Sequence, residues 1–311
     1  MKVIIQYIKK CSLKFNKYVK IIKVTLMIIL LNIFIIDNVN LKISTKPKII
    51  GISYGNNIFQ KQLKINKKTA ILIGKVDEYY SFGPDDIDFE FKKKNQDILS
   101  RERGNGYWLW KPYFILKTLK EKLKEGDYLI YTDAGILYMN STKKIIDFLK
   151  EKNAEMWAFQ LKYMEKIYSK RDAFILLGAD KPFYTDSPQY MASIQIYRKS
   201  KLIENFLKEV LYYSEDKRII TDDNNTLGLD NYIGFKENRH DQTVLSIMIK
   251  KYGLVNSRKN TSYIPELNKP TSNIPYIFCA YRRTYFKSYS NIKKKCDEQY
   301  QEQIKWFYNK N

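Results

Sequence analysis

Asp133 closes an uncharged, β-branched and aromatic run, Tyr128-Leu129-Ile130-Tyr131-Thr132, and is followed by Ala134 and Gly135. Such a run reads as a buried strand. A carboxylate at the C-terminal end of a buried strand stands where open α/β sheets form their ligand crevice. It can hold a metal ion or face a developing positive charge; the plainer alternative is that it caps the next turn. Upstream lies Arg101-Glu102-Arg103-Gly104-Asn105-Gly106-Tyr107-Trp108-Leu109-Trp110-Lys111-Pro112, basic and punctuated by glycine. It runs into a helix N-terminus, where free amides, the helix dipole and Arg/Lys side chains suit a phosphate or diphosphate. Tyr107, Trp108 and Trp110 offer ring faces to a base or a sugar, or else pack into the core.

His240 is the sole histidine. It stands in Arg239-His240-Asp241-Gln242, at the mouth of a helix and after a polar loop, a costly group to leave idle in a core. General acid/base work, metal ligation and sugar binding are all open to it. One histidine excludes phosphohydrolases that fill a metal shell with several, and Cys/His zinc sites fail likewise. A metal in this phosphate-oriented setting is expected to be Mn²⁺ or Mg²⁺, bridging Asp133 and a diphosphate. Gly51-Ile52-Ser53-Tyr54-Gly55 matches the G-x-S-x-G nucleophile elbow. With Asp222, Asp223 or Asp230 and His240 it gives a rival serine-hydrolase reading. Against that, the elbow lies on the first strand, with no upstream strand or loop to build an oxyanion hole.

The elements that must position these groups follow from the pattern. Strands are expected at 48–55, 69–74, 128–132, 156–160 and 191–197, with another around 276–280. Helices are expected at 57–68, 92–99, 113–123, 143–151, 170–177, 202–213 and 239–250, with Ser187-Pro188-Gln189 as a turn. Strand, helix and strand within 30 residues make a βαβ unit and hence a parallel sheet. No repeat and no Ser/Gly linker divides residues 46–311, so one catalytic-type domain is expected there.

The 311 residues are 44% hydrophobic with 26 Tyr and 16 Phe, ample for a packed core. Three cysteines form no metal-ligand spacing; a Cys279–Cys296 disulfide is open. The net charge is +22, and residues 1–23 supply +7 of it from seven lysines and no acid. Such an excess suits nucleic acid, an anionic membrane or phosphorylated substrates. Equally, it reflects a chain rich in Lys, Asn and Ile throughout. Residues 24–36 are uncharged, 13 in all, against the roughly 17–25 a membrane span needs. Extended back to residue 18, with Lys20 and Lys23 snorkelling, they form a signal anchor over about 18–36. Residues 1–45 are thus expected as a basic segment with an anchor helix and stem. The basic flank predicts a single-pass type II topology with residues 46–311 across the membrane. A membrane-associated protein with a cytosolic catalytic domain is the other placement.

Five stretches occur in order: Arg103-Gly104-x-Gly106-Tyr107-Trp108-Leu109-Trp110-Lys111-Pro112-Tyr113, then Tyr131-Thr132-Asp133-Ala134-Gly135, Lys170-Arg171-Asp172-Ala173-Phe174, Ser187-Pro188-Gln189 and Arg239-His240-Asp241-Gln242-Thr243-Val244-Leu245-Ser246. Together they resemble a group of GT-A-type glycosyltransferases of bacteria and large viruses, related to nucleotide-diphospho-sugar transferases with a DXD motif, over residues 49–253. The resemblance implies an α/β, Rossmann-like fold whose mixed, mostly parallel sheet is flanked by helices. It implies a nucleotide-sugar donor, a glycan or glycoconjugate acceptor, and no nucleic-acid partner. Asp133 resembles the first acid of the DXD motif, a metal ligand, and Gly135 stands where the second acid usually is, which makes metal dependence an open matter. On the donor side the resemblance sets Ser53, Tyr54, Arg103, Tyr107, Trp108, Lys111, Asp133 and Gly135. On the acceptor side it sets Arg171, Asp172, Gln189 and Gln242, with Asp241 and His240 as catalytic residues and Asp241 activating the acceptor hydroxyl. A non-enzymatic, membrane-tethered basic protein binding nucleic acid or anionic lipid is the third reading.

Overall fold

The computed structural model describes residues 19–32, 46–254, 277–280, 294 and 298. The chain divides into two compact units, Met1–Pro47 and Lys48–Asn311. In the first, residues 19–32 are helical, and Met27 and Leu30 expose 66% and 62% of their surface. Among the described residues no helix is long and apolar enough to cross a membrane. Residues 18 and 33–36 of the expected anchor lie outside them.

The second unit is built on a five-stranded sheet in the order β2-β1-β3-β6-β5. Its strands are β1 (Ile49–Tyr54), β2 (Glu78–Phe82), β3 (Tyr128–Thr132), β5 (Met156–Met164) and β6 (Pro188–Arg198). β1 pairs in parallel with β2 and β3. β6 runs against both β3 and β5. A second, two-stranded sheet pairs β4 (Ile136–Tyr138) with β7 (Phe278–Ala280). The principal helices are α1 (Gln60–Leu72), α2 (Trp110–Lys122), α3 (Lys143–Glu151), α4 (Lys201–Ser214) and α5 (Asp241–Lys251).

β3 is buried throughout, so its alternate residues must satisfy two cores at once. Leu129 and Tyr131 face the cluster lined by α2, α4 and α5. Tyr128 and Ile130 face the other, lined by Ala70, Ile145 and Leu149. The N-terminal edge of the sheet is closed by side chains. Asp127 accepts from the Lys48 amide and Asp77 from the Ile49 amide, each at 2.8 Å. The opposite edge, where β1, β2 and β3 end together, is left for the site.

Two expectations are corrected. Residues 69–74, β-branched and apolar, were expected as a strand, but they complete α1 and its turn. Leu63, Asn66, Thr69 and Ala70 are buried at helical spacing, while Ile71 and Leu72 are 40% and 56% exposed. The packing period overrides the local propensity. The second strand of the βαβ unit is instead β2. The Ser187-Pro188-Gln189 turn is likewise overtaken by β6, which begins at Pro188, a position at a strand start where no ladder donor is lost.

Candidate active site

Three motifs far apart in sequence converge beyond the C-terminal end of β3. Lys111, in the first turn of α2, sends its ammonium under the sheet edge. The Nζ lies 2.6 Å from Asp241 Oδ2 and 3.3 Å from Asp133 Oδ1, and it donates to the Ala192 carbonyl at 3.4 Å. The Lys111 side chain is only 4% exposed and that of Asp241 9%, while that of Asp133 is 39% exposed. The cluster is therefore closed behind and open in front. Tyr131 donates to Asp133 Oδ1 at 2.6 Å, and the Lys111 ammonium stands 5.3 Å above the Tyr131 ring.

The backbone that carries Asp133 is fixed by a residue with no sequence motif. Asn66, fully buried on α1, donates to Thr132 Oγ1 at 2.9 Å, to the Asp133 carbonyl at 3.1 Å and to the Ile136 carbonyl at 2.8 Å. Its own oxygen accepts from the Tyr79 hydroxyl. The only signal available in the sequence was a polar residue in the buried stripe of a helix. Asp241 is placed by α5, which packs on β6 through Ser246, whose hydroxyl accepts from the Tyr190 amide at 2.7 Å.

Two carboxylates share one ammonium, and the proton affinities follow. Burial works against a charged Lys111, yet Asp133 and Asp241 outweigh it and hold its pKa above the ordinary value. Burial pushes the Asp241 carboxyl up, with Lys111 opposing and Asp133 adding to the rise. The two shifts point to one state. The lysine stays charged, and the buried Asp241 carboxyl takes a proton more readily than an ordinary aspartate. Burial and the neighbouring Asp133 raise the Tyr131 phenol well above its usual range.

Asp133 also suits a divalent metal. Its Oδ1 is occupied by Tyr131 and Lys111, and Oδ2 has no partner among the described residues, on a half-exposed side chain. Mg²⁺ and Mn²⁺ accept one protein carboxylate when substrate phosphates complete the shell. Gly135 supplies no second acid. Among the described residues no three His, Cys, Asp or Glu side chains gather into a complete metal cage.

The other expected site residues fall elsewhere. Lys111 is no open phosphate clamp; burial and two carboxylates claim its ammonium first. Ser53 and Tyr54 are 1% and 5% exposed. Tyr54 stacks on Trp110 at 3.8 Å, and its hydroxyl accepts from Asn105, so its ring is core. Tyr107 is buried with Ile98, Leu109 and Ile220. Arg103 is tied to Asp222 at 2.8 Å and Glu237 at 3.5 Å. Arg171 pairs with Asp180 at 2.9 Å and lies over the Tyr232 ring. Asp172, fully buried, accepts from the amides of Thr226 and Leu227; these two hold the 222–232 loop in place.

Gln189 is fully buried. It donates to Glu165 at 3.0 Å and accepts from Gln242 at 2.8 Å, and Gln242 accepts from the Ala192 amide at 3.3 Å. His240 is 3% exposed, and its Nδ1 is 2.7 Å from the Ile220 carbonyl. No hydrogen bond joins its ring to Lys111, Asp133 or Asp241 among the described residues, and the ring is packed away from solvent. No hydrogen bond joins Ser53 to His240, so the serine-hydrolase arrangement is not assembled.

No protein-family model matches the sequence, and no curated protein matches it. Solved structures do resemble it. The bifunctional glycosyltransferase WbbM is 10% identical at a TM-score of 0.39, over 72% of this chain and 40% of that one. The chain thus spans less than half of WbbM. The galactosyltransferase LgtC, in complex with donor and acceptor sugar analogues, is 12% identical at 0.41, over 82% and 95%. Core-mannan synthase A from Aspergillus fumigatus, in its Mn/GDP form, is 10% identical at 0.37, over 67% and 70%. These neighbours are GT-A glycosyltransferases. At such identities and TM-scores the likeness does not extend to substrate or mechanism.

Proposed function

We propose that the chain is a glycosyltransferase that moves a sugar from a nucleoside-diphosphate donor to an acceptor hydroxyl. One observation carries this: a buried ammonium is shared by Asp133, at the end of the central strand, and Asp241, at the start of α5. In the transfer, the acceptor oxygen bonds to the anomeric carbon as the bond from that carbon to the phosphate oxygen breaks. The electron pair leaves with the diphosphate, and the acceptor proton goes to a carboxylate. Asp241, whose proton affinity is raised by burial, suits that proton. Lys111, claimed by both carboxylates, holds Asp133 and Asp241 in fixed positions, so the site is organised before the diphosphate departs. A Mn²⁺ or Mg²⁺ ion on Asp133 Oδ2 would neutralise leaving-group charge.

The test is release of nucleoside diphosphate from UDP- and GDP-sugars by the purified protein. Asp133→Ala and Asp241→Ala are each expected to abolish it with an unchanged circular-dichroism spectrum. Undiminished release by either folded variant would refute the assignment.

For placement, we propose anchorage by residues 18–36 with the catalytic unit in an oxidising lumen. Cys279 is disulfide-bonded, a state that persists outside reducing compartments. Asn224, in an Asn-Asn-Thr sequon, is exposed. A glycosidase-sensitive mass on the expressed full-length chain supports this placement, and protease-accessible residues 46–311 in intact cytosol-facing vesicles would oppose it.

A further inference from the structure

His240 holds a backbone conformation that side-chain-bearing residues seldom adopt, at φ 57° and ψ −116°. Such a state persists only where the surroundings over-determine it. Here the surroundings are specific. The Ile220 carbonyl accepts from Nδ1 at 2.7 Å. Trp108 stacks on the imidazole at 5.2 Å between centroids and 23° between planes, and Tyr107 lies at 5.0 Å.

Trp108 and Tyr107 are presented by a turn that is itself unusual. Gly104, Asn105, Gly106, Tyr107 and Trp108 all have positive φ, from 49° to 92°. The amides of Tyr107 and Trp108 close this left-handed turn onto the Arg103 and Gly104 carbonyls. Left-handed turns of L-residues are costly, and only glycine enters them freely. At Gly104 a side chain is also blocked by the Trp108 ring, which folds back to within 2.4 Å of where a Cβ would stand. Arg103 then ties the turn to the 221–239 loop through Asp222 and Glu237. Two strained segments thus meet at one imidazole, and the next residue is Asp241.

We propose that His240 is a positioning residue: its ring, gripped by Tyr107, Trp108 and the Ile220 carbonyl, holds the strained backbone that delivers Asp241 to Lys111. The proposal rests on the transfer reading for its kinetic consequence but not for its structural one. The charged groups facing the ring are Asp222 and Glu237 from the loop and Arg103 from the turn, beside Asp241 on its own helix. A carbonyl at Nδ1 fixes the Nδ1–H tautomer. Among the described residues Nε2 then has no hydrogen-bond partner; it lies 3.8 Å from an Asp222 oxygen on a carboxylate already held by Arg103. Protonation would send a new N–H toward Asp222 in competition with Arg103, loosening the turn that grips the ring.

As the only histidine, His240 gives a single set of imidazole resonances. ¹⁵N NMR of the full chain is expected to show the Nδ1–H tautomer at neutral pH; the Nε2–H tautomer would overturn the proposal. His240→Gly accepts the backbone angles without the ring, and His240→Phe restores a ring that cannot titrate. In His240→Gly, amide exchange in the first turn of α5 is expected to accelerate about tenfold or more, with other protected amides unchanged. Turnover is expected to fall about 100-fold from misplacement of Asp241, with donor KM within roughly twofold. His240→Phe is expected to restore slow exchange and turnover to within about tenfold of wild type. Wild-type exchange and turnover in His240→Gly would overturn the proposal. So would a His240→Phe protein with normal exchange that is as inactive as Asp241→Ala, because the imidazole would then be doing chemistry. A wild-type protein that transfers no sugar while the exchange pattern holds would remove the transfer reading and leave the positioning intact.

Discussion

Lys111 and Lys250 are both buried against carboxylates, and they differ in what those carboxylates have left to give. Lys250, on α5, pairs with the fully buried Glu165 at 2.6 Å. Every Glu165 lone pair is engaged: Oε1 by Lys250 and the Ser246 hydroxyl, Oε2 by Ser169 at 2.9 Å and Gln189 at 3.0 Å. Burial outweighs that single acid and lowers the Lys250 pKa, whereas two acids raise that of Lys111. Around Lys111 the satisfaction is incomplete. Asp133, its side chain 39% exposed, keeps one oxygen without a partner among the described residues, and burial raises the proton affinity of Asp241. A saturated buried pair joins β5, β6 and α5; an unsaturated one, open on one side, is where a substrate's charge can enter.

The contrast can be broken from either end. Lys250→Met strands the Glu165 charge in the core and is expected to cost about 3–5 kcal/mol in urea unfolding, with turnover per folded molecule unchanged. Lys111→Met is expected to do the reverse, lowering turnover about 100- to 1,000-fold at a smaller cost in stability, because Asp133 reaches water and Asp241 takes up a proton. Exchanged outcomes would reverse the assignment of the two clusters. Asn66→Ala sits between them: it leaves the Asp133 and Ile136 carbonyls without their donor and is expected to cost about 1–3 kcal/mol together with a loss of turnover. The smallest effect is that of pH. Burial lowers the His240 pKa below its ordinary 6.5, so the unfolded chain binds the proton more readily. The contribution of the neutral ring is complete above about 6.5 and declines as pH falls toward the folded value, by at most about 1.4 kcal/mol per pH unit. His240→Phe should remove that slope in a pH series of melts, and a slope that survives would assign it to other groups.

Much of this contrast was legible in the residues. β3 and α3 lie at their expected bounds because an uncharged β-branched run and a clear amphipathic period leave little choice. Asp133, Lys111 and Asp241 stood out one by one through a strand end, a basic glycine-rich turn and the lone His-Asp pair. Their shared ion pair did not, since spacing along a chain does not reveal which side chains meet. The Glu165–Lys250 pair had no signal at all, because its partners are polar residues scattered over three elements. The glycines at 104 and 106 announced an unusual turn, yet they pointed to a phosphate cradle rather than to a grip on His240. Residues 69–74 misled because β-branched residues also serve a helix whose buried stripe is set by Leu63, Asn66 and Ala70.

The central claim is that the Lys111 cluster receives a nucleoside-diphosphate sugar, and a thermal-shift titration of the full chain with UDP- and GDP-sugars, with and without Mn²⁺, tests it most directly. At least one donor is expected to raise the melting temperature of the wild type saturably, equivalent to about 2.7 kcal/mol at 100 times its Kd, and to leave Lys111→Met unmoved. An equal shift in both proteins, or none from any donor, would contradict it.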